Sequence, residues 1–460
     1  MTIMFSTKNK MAIDYTTYEG ATAAAIGSLI STFLTAFCLY LGYDRVIIGI
    51  LIALQLLVWA IMQIPAAFIT QLTGYRKRIS IISSFVARFS WVFVGLVPYL
   101  FNSSMAMIIL FAMIANAGAA FLGPAWASWI GDIVHSGERG KYFSRRNKYS
   151  VVFAIIAVIT TGIMLEISPE TGFNYMFAVA GIAGVLSAIF FAFTPNYRSI
   201  GVATNPVKEI KSVMSNRFFK HFCMAFFLWQ FGFIAWDTFS EVYIIQNLSG
   251  SYIWLAIAFV SGSVASVIMQ KFWGRVSDKY THRSVMIFAC IGTVAAPMLW
   301  FFFVDSLWLI IPIEFFSGMM LAGFNMASFN YLLEISPYDR RQYYTAIFWA
   351  IIGIAGFFGT ITSGFISTLW IGLIGVGGLK LSLLMSFIAR AAGFVLFIRF
   401  VKELPNNQSW VKYIAGDFAR VTGSFIKSPL LPIKKFAVSK SRLEKKAKPP
   451  ERKKYKFKSG

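Results

Sequence analysis

Runs of about 20 mostly apolar residues recur along the chain, separated by short polar stretches, and each is long enough to cross about 30 Å of hydrocarbon as a helix. In order they cover 20–42, 46–70, 79–101, 104–131, 149–166, 174–195, 221–247, 252–273, 284–304, 307–335, 343–370 and 380–401, which predicts twelve spans. Several exceed the length a bilayer needs, so those helices tilt or project beyond it. Composition agrees. Of 460 residues, 57% are hydrophobic and only 13% charged, with 47 Phe and 13 Trp; a soluble domain carries about 25% charge. A disordered chain, a disulfide scaffold and a cytosolic enzyme are excluded, leaving an all-α, multi-pass membrane protein. Cys38, Cys223 and Cys290 fall inside apolar runs, where buried free thiols are the plain reading.

The formal net charge of +23 changes the picture only once its location is known. All but four of the 42 Lys and Arg lie in the N-terminus, the even-numbered connections or the C-terminal tail. The exceptions are Arg45 and Lys380 in odd-numbered connections, and Arg88 and Arg390 within spans. This bias places both termini in the cytoplasm and predicts a plasma-membrane protein. The basic balance therefore serves topology, and nucleic acid is not expected as a partner.

The longest internal polar connection, 196–220, divides the chain into a cytoplasmic N-terminus (1–19), six spans (20–195), six more (221–401) and a basic tail (402–460). The two halves echo each other at an offset of roughly 200 residues. Gly74, Arg76 and Lys77 follow the second span; Gly274, Asp278, Lys279 and Arg283 follow the eighth. Asp132, Glu138 and Arg139 follow the fourth span, while Glu334 and Arg341 follow the tenth. On these residues the chain resembles the major facilitator superfamily, whose signature after the second helix is Gly-x-x-x-Asp-Arg/Lys-x-Gly-Arg-Arg/Lys, repeated after the eighth. The first copy departs from it with Ala67 and Gln71, the second with Thr281 and His282. The resemblance covers roughly 20–401 and implies two pseudo-symmetric six-helix bundles that rock about a central cavity. It also implies that the twelve signature residues just named form a cytoplasmic gate of charge-assisted bonds between bundles. The plainer alternative is that these charges cap helices and set topology.

Charges inside spans carry more information, since an ionised group at mid-bilayer costs about 2.5–3.5 kcal/mol or more. Gln230, Asp237 and Glu241 share one face of the seventh span at i, i+7 and i+11. Glu314 shares a stripe of the tenth with Gly318, Asn325 and Ser328. The resemblance places both spans around the cavity, which makes Asp237, Glu241 and Glu314 candidates for proton or cation sites; hydration near the outer interface is the alternative. Gln55, Gln63 and Asn116 either bind substrate or cross-link helices. Arg88 and Arg390 lie on the third and twelfth spans, which the resemblance places outside the cavity lining, so structural pairing is expected. With carboxylates but no basic residue at mid-depth, such a cavity favours neutral or cationic solutes.

No phosphate-binding loop, metal cluster or catalytic constellation appears, so no cofactor, metal or enzyme activity is expected. Trp410, Ile414, Phe418, Val421 and Phe425 make an apolar stripe in the tail, predicting an interfacial helix over 409–427 with anionic headgroups as its partner. The expected function is a monomeric secondary transporter of a small solute, proton-coupled. A uniporter, a drug or metabolite exporter, and a non-transporting sensor on the same scaffold are the alternatives.

Overall fold

The computed structural model describes residues 2–134, 139–195, 206–337, 340–371 and 376–402, with 414 and 416–419 helical in the tail. Most of the 409–427 stripe thus lies outside the described residues. Among the described residues, twelve helices are long and apolar enough to span a membrane. They are α1 (Thr2–Tyr40), α2 (Arg45–Thr73), α3 (Arg76–Leu100), α4 (Met105–Ile133), α5 (Arg139–Ile167) and α6 (Pro169–Phe193), then α8 (Arg217–Val242), α9 (Tyr252–Lys279), α10 (His282–Phe303), α11 (Ile310–Ile335), α12 (Arg341–Ile366) and α13 (Gly378–Phe400). A short amphipathic helix, α7 (Pro206–Ser215), sits in the linker. Between α12 and α13 a two-residue antiparallel ladder pairs β1 (Trp370–Ile371) with β2 (Val376–Gly377).

Local chemistry sets the helix ends. Asp44 accepts a bond from the Ile47 amide at 2.9 Å, Asn216 accepts from the amides of Phe218 and Phe219, and Thr281 accepts from that of Ser284, so side chains satisfy amides that lack a partner in the first turn. Gly74 ends α2 at φ +64, a backbone region that favours glycine. The first span departs most from its sequence reading: α1 reaches well upstream of residue 20 and buries Glu19. Thr16, Thr17 and Glu19 mask the span there: the two hydroxyls bond back to helix carbonyls and the carboxylate is paired inside the bundle.

Helix α1 packs on α5 and α6, α2 on α4, and α3 on α4 and α6; in the second half α8 packs on α12 and α13, α9 on α11, and α10 on α11 and α13. Contacts of α2 with α12 and of α5 with α9 join the halves. Side chains such as Ile82, Ile156, Phe302 and Ile388 project outward and are more than half exposed, as a lipid-facing surface requires.

With an even number of spans, α1 begins and α13 ends on one side, here called the basic end. The far end is closed across the bundles. Arg45 donates to Gln246 Oε1 at 2.9 and 2.6 Å and to the Ser367 carbonyl at 2.9 Å. Phe173 meets Tyr252 edge-on at 5.7 Å, and Gly49 lies against Gly364. One apolar cluster runs beneath this seal from Phe33 and Phe37 through Phe177 to Trp236, Phe239 and Trp300.

Candidate transport cavity

A cavity of about 440 Å³ lies behind that seal, lined mainly by α8, α9 and α11, with Ser31 and Thr32 of α1 and Val151 of α5 from the first bundle. Its charged lining is Asp237 and Glu241 on α8, Glu314 on α11 and Arg390 on α13. Asp237 is exposed to it, while Glu241 and Glu314 are half-buried. The Trp300 indole donates to Glu314 Oε1 at 2.9 Å and fixes that carboxylate. Trp236 and Trp300 meet edge-to-face at 5.3 Å in the same wall. Directly after Glu241, α8 loosens into a π-helical turn over Tyr243–Asn247.

Arg390 corrects the sequence reading, which placed it outside the lining. It is buried at 3% exposure, donates from Nη1 to the Thr293 carbonyl at 2.8 Å and lies over the Phe233 ring at 5.1 Å. The guanidinium faces Asp237, Glu314 and the Cys290 thiol, yet neither carboxylate is in ion-pair contact with it. The cavity therefore does hold a cation. The cause is close helix approach: a Cβ on Gly232 of α8 would lie 2.6 Å from the Ser386 carbonyl and 3.1 Å from Arg390 Cγ. Ser386 donates to the Gly232 carbonyl at 2.6 Å and holds that crossing. The flanking small residues Ala389, Ala391, Ala392 and Gly393 were the available signal, since an Arg set among them must sit at a tight helix crossing.

The other polar candidates separate. Asn325 lines the cavity, whereas Gln230, Gln55, Gln63 and Asn116 are not among its lining residues. Asn116 donates to Gln55 Oε1 at 3.0 Å and ties α4 to α2 within the first bundle. Gln63 is buried.

The gate candidates separate as well. The side chains of Asp132, Arg139 and Asp278, and all of Glu138, lie outside the described residues. Lys77 donates to the Ala192 carbonyl at 2.7 Å, at the last turn of α6. At the equivalent place in the second half, Arg283 donates to the carbonyls of Val401 and, at 3.0 Å, Ile398, at the end of α13. Both cations thus cap a helix C-terminus of their own bundle, where carbonyls and the helix dipole favour positive charge. Glu334 and Arg341 are exposed, Lys279 lies over the adjacent Tyr280 ring, and Gly274 has open space beside it. Arg76 opens α3. Among the described residues, a bond that crosses between bundles at this end comes from outside the predicted gate: Tyr343 of α12 donates to Gln71 Oε1 at 2.6 Å. Gln71 stands where the superfamily signature has Asp.

A second charged group escaped the sequence reading. Glu19 is 1% exposed; its Oε1 accepts from Arg88 at 2.6 Å and its Oε2 from Arg146 at 3.3 Å. Ser84 accepts from Arg88 at 2.6 Å, and Arg146 stacks over Trp126 at 4.5 Å. Arg88 is thus paired inside the first bundle.

The comparisons fit this architecture. The model of the MFS_1 like family matches residues 22–372, more than half the chain. The chain belongs to that family. No curated protein matches it in sequence. Among solved structures, a D-xylose–proton symporter superposes with TM-score 0.68 at 16% identity, covering 86% of this chain and 97% of that one. A point mutant of the nucleoside transporter NupG gives 0.67 at 13% identity, over 85% and 100%. A bacterial homolog of the human lysosomal transporter Spinster, inward-facing and unoccupied, gives 0.66 at 16%, over 87% and 99%. At these identities the likeness shows the fold alone. Family and fold together make this major facilitator protein a membrane transporter with two six-helix bundles.

Proposed function

We propose that this transporter moves a small neutral or cationic solute by alternating access, driven by a proton gradient, with both termini cytoplasmic in the plasma membrane. The observation that carries the reading is the set of three carboxylates in one intramembrane cavity, two of them facing Arg390 without touching it. Carboxylates held in a low-dielectric site load protons where hydrated ones would not. Protonation of Asp237 or Glu314 changes the local field on Arg390, and a change of about one charge at this depth is worth several kcal/mol, enough to bias one bundle arrangement over another. Asp237, open to the cavity, is the better placed of the two to exchange a proton with a solute-bearing state.

The test uses the purified protein in liposomes loaded with a pH-sensitive dye and challenged with amines, nucleosides and pentoses. A solute that moves should carry proton flux with it. Asp237→Asn should abolish pH-driven accumulation while exchange of the same solute down its own gradient persists. Solute flux without proton movement would replace this reading by a uniporter, and accumulation by Asp237→Asn equal to the parent's would remove Asp237 from the coupling path. The absence of flux for any solute would favour a sensor on the same scaffold.

A further inference from the structure

Glu241 stands apart from the other cavity charges. Arg390 faces Asp237 and Glu314, and Trp300 holds Glu314. The charged group that faces Glu241 is the like-charged Asp237, one turn back on α8. Its Oε2 is buried without a hydrogen-bond partner. Apart from Asp237 the wall around the carboxylate is uncharged: the hydroxyls of Ser31, Thr32 and Thr35 come from α1 of the opposite bundle, and Trp236 and Trp300 come from its own. Thr35 serves the carboxylate, but an oxygen left without a donor in such a place is destabilising unless a ligand supplies one.

Charge and shape together select that ligand. Three carboxylates oppose one guanidinium, so the cavity approaches neutrality only when positive charge enters it. An ammonium head brings three donors and no acceptor, which matches one carboxylate ringed by hydroxyl oxygens, and indole faces attract a cation. A solute carboxylate would have to displace Asp237 and Glu314 from around Arg390, whose own Nε is buried and unpartnered. A neutral polyol would leave Glu241 uncompensated. The volume of about 440 Å³ falls in the range of about 300–1,000 Å³ typical of small-molecule sites.

We infer that Glu241 is the receptor for a protonated amine, so the solute is an organic ammonium compound whose apolar body lies against Trp236 and Trp300 while the α1 hydroxyls close over its charged head. This rests on the transporter reading only in taking the cavity as the solute site. Because the head group touches α1 and α8 together, its binding joins the two bundles at the far end.

The test measures thermal unfolding of the purified full-length protein in detergent with three probes that share one ring: phenethylamine, phenethyl alcohol and phenylacetate. Phenethylamine should raise the melting temperature saturably, and the alcohol and the acid should not. Glu241→Gln should weaken the amine's apparent affinity about tenfold or more, with Glu241→Asp intermediate and Glu166→Gln, an exposed carboxylate outside the cavity, within about threefold of the parent. The unliganded melting curve and elution profile of each variant separate lost binding from lost folding. Equal protection by the alcohol or the acid, or an unchanged Glu241→Gln, would overturn the inference whatever Asp237→Asn does to proton flux. Failure of methylamine, phenethylamine and 4-phenylbutylamine alike to protect the parent would also overturn it. Protection by sodium ions alone, lost in Glu241→Gln, would make this an inorganic cation site instead. Amine binding through Glu241 without any proton-coupled flux would keep the inference and remove the coupling reading.

Discussion

Burying Arg88 requires a carboxylate at contact, and the chain supplies it from Glu19, 69 positions upstream. One carboxylate serves two guanidiniums, with Ser84 and Ser187 filling the remaining hydrogen-bond positions. Breaking a buried pair by removing one partner leaves the other charge uncompensated, at about 3–5 kcal/mol. Glu19→Ala should therefore lower the unfolding temperature sharply, and Glu19→Ala combined with Arg88→Leu should recover part of the loss in a double-mutant cycle. Additive losses would mean that the two side chains do not interact. The same residues mark what sequence reading reaches. Arg88 announced itself, because an Arg inside an apolar run needs a partner. Glu19 did not, because it sits among polar residues that read as a terminus, and no periodicity links it to the third span. Arg390 failed differently: its residue type was noticed, but the direction of its side chain depends on the α8–α13 crossing that Gly232 permits.

At the scale of elements, the twelve spans were legible because hydrophobic length is set by the bilayer, and the ends moved by only a few residues except in α1 and α5. The α2–α12 seam was not legible. It depends on which small residues face each other, and glycine counts alone do not say. In the structure a Cβ on Gly49 would lie 3.2 Å from the Gly364 Cα, and one on Gly353 would lie 2.7 Å from the Ala60 Cβ and 2.9 Å from the Leu56 carbonyl. The seam is therefore close-packed from mid-membrane to the far end, and Tyr343 with Gln71 ties it at the basic end. A bulky residue at 49 has no space on the second bundle's side and should wedge the far end apart. In Gly49→Leu, a cysteine at position 246 should react several-fold faster with a membrane-impermeant maleimide than in the parent. The native thiols Cys38, Cys223 and Cys290 are buried and give little background. Unchanged labelling, with normal folding, would mean that the α2–α12 contact does not govern closure.

At the scale of the whole molecule, orientation follows from charge that the fold sorts to one end. The connections after α2, α4, α6, α9 and α11, with the adjoining helix ends, carry most of the Lys and Arg between the termini, while the far-end turns at Asn102–Ser103 and Ser249 are uncharged and tight, each with φ near +50. Moving Lys or Arg across a bilayer is unfavourable, and an anionic inner leaflet attracts each one by about 1 kcal/mol. With two far-end basic residues outside the spans, Arg45 and Lys380, against the basic connections at the other end, the proposed orientation is the favourable way to insert. Part of the basic-end charge also has structural work: Lys77 and Arg283 close the C-termini of α6 and α13, so topology and helix capping draw on the same side chains. Cysteines introduced at 102 or 249 should thus react with an impermeant maleimide in intact cells, and one at 205 or 450 should react only after the membrane is opened. Arg45→Glu should leave this pattern unchanged, since one far-end charge is outweighed many times over. Labelling of position 205 in intact cells would overturn the proposed orientation, and with it the side assigned to the proposed proton uptake at Asp237.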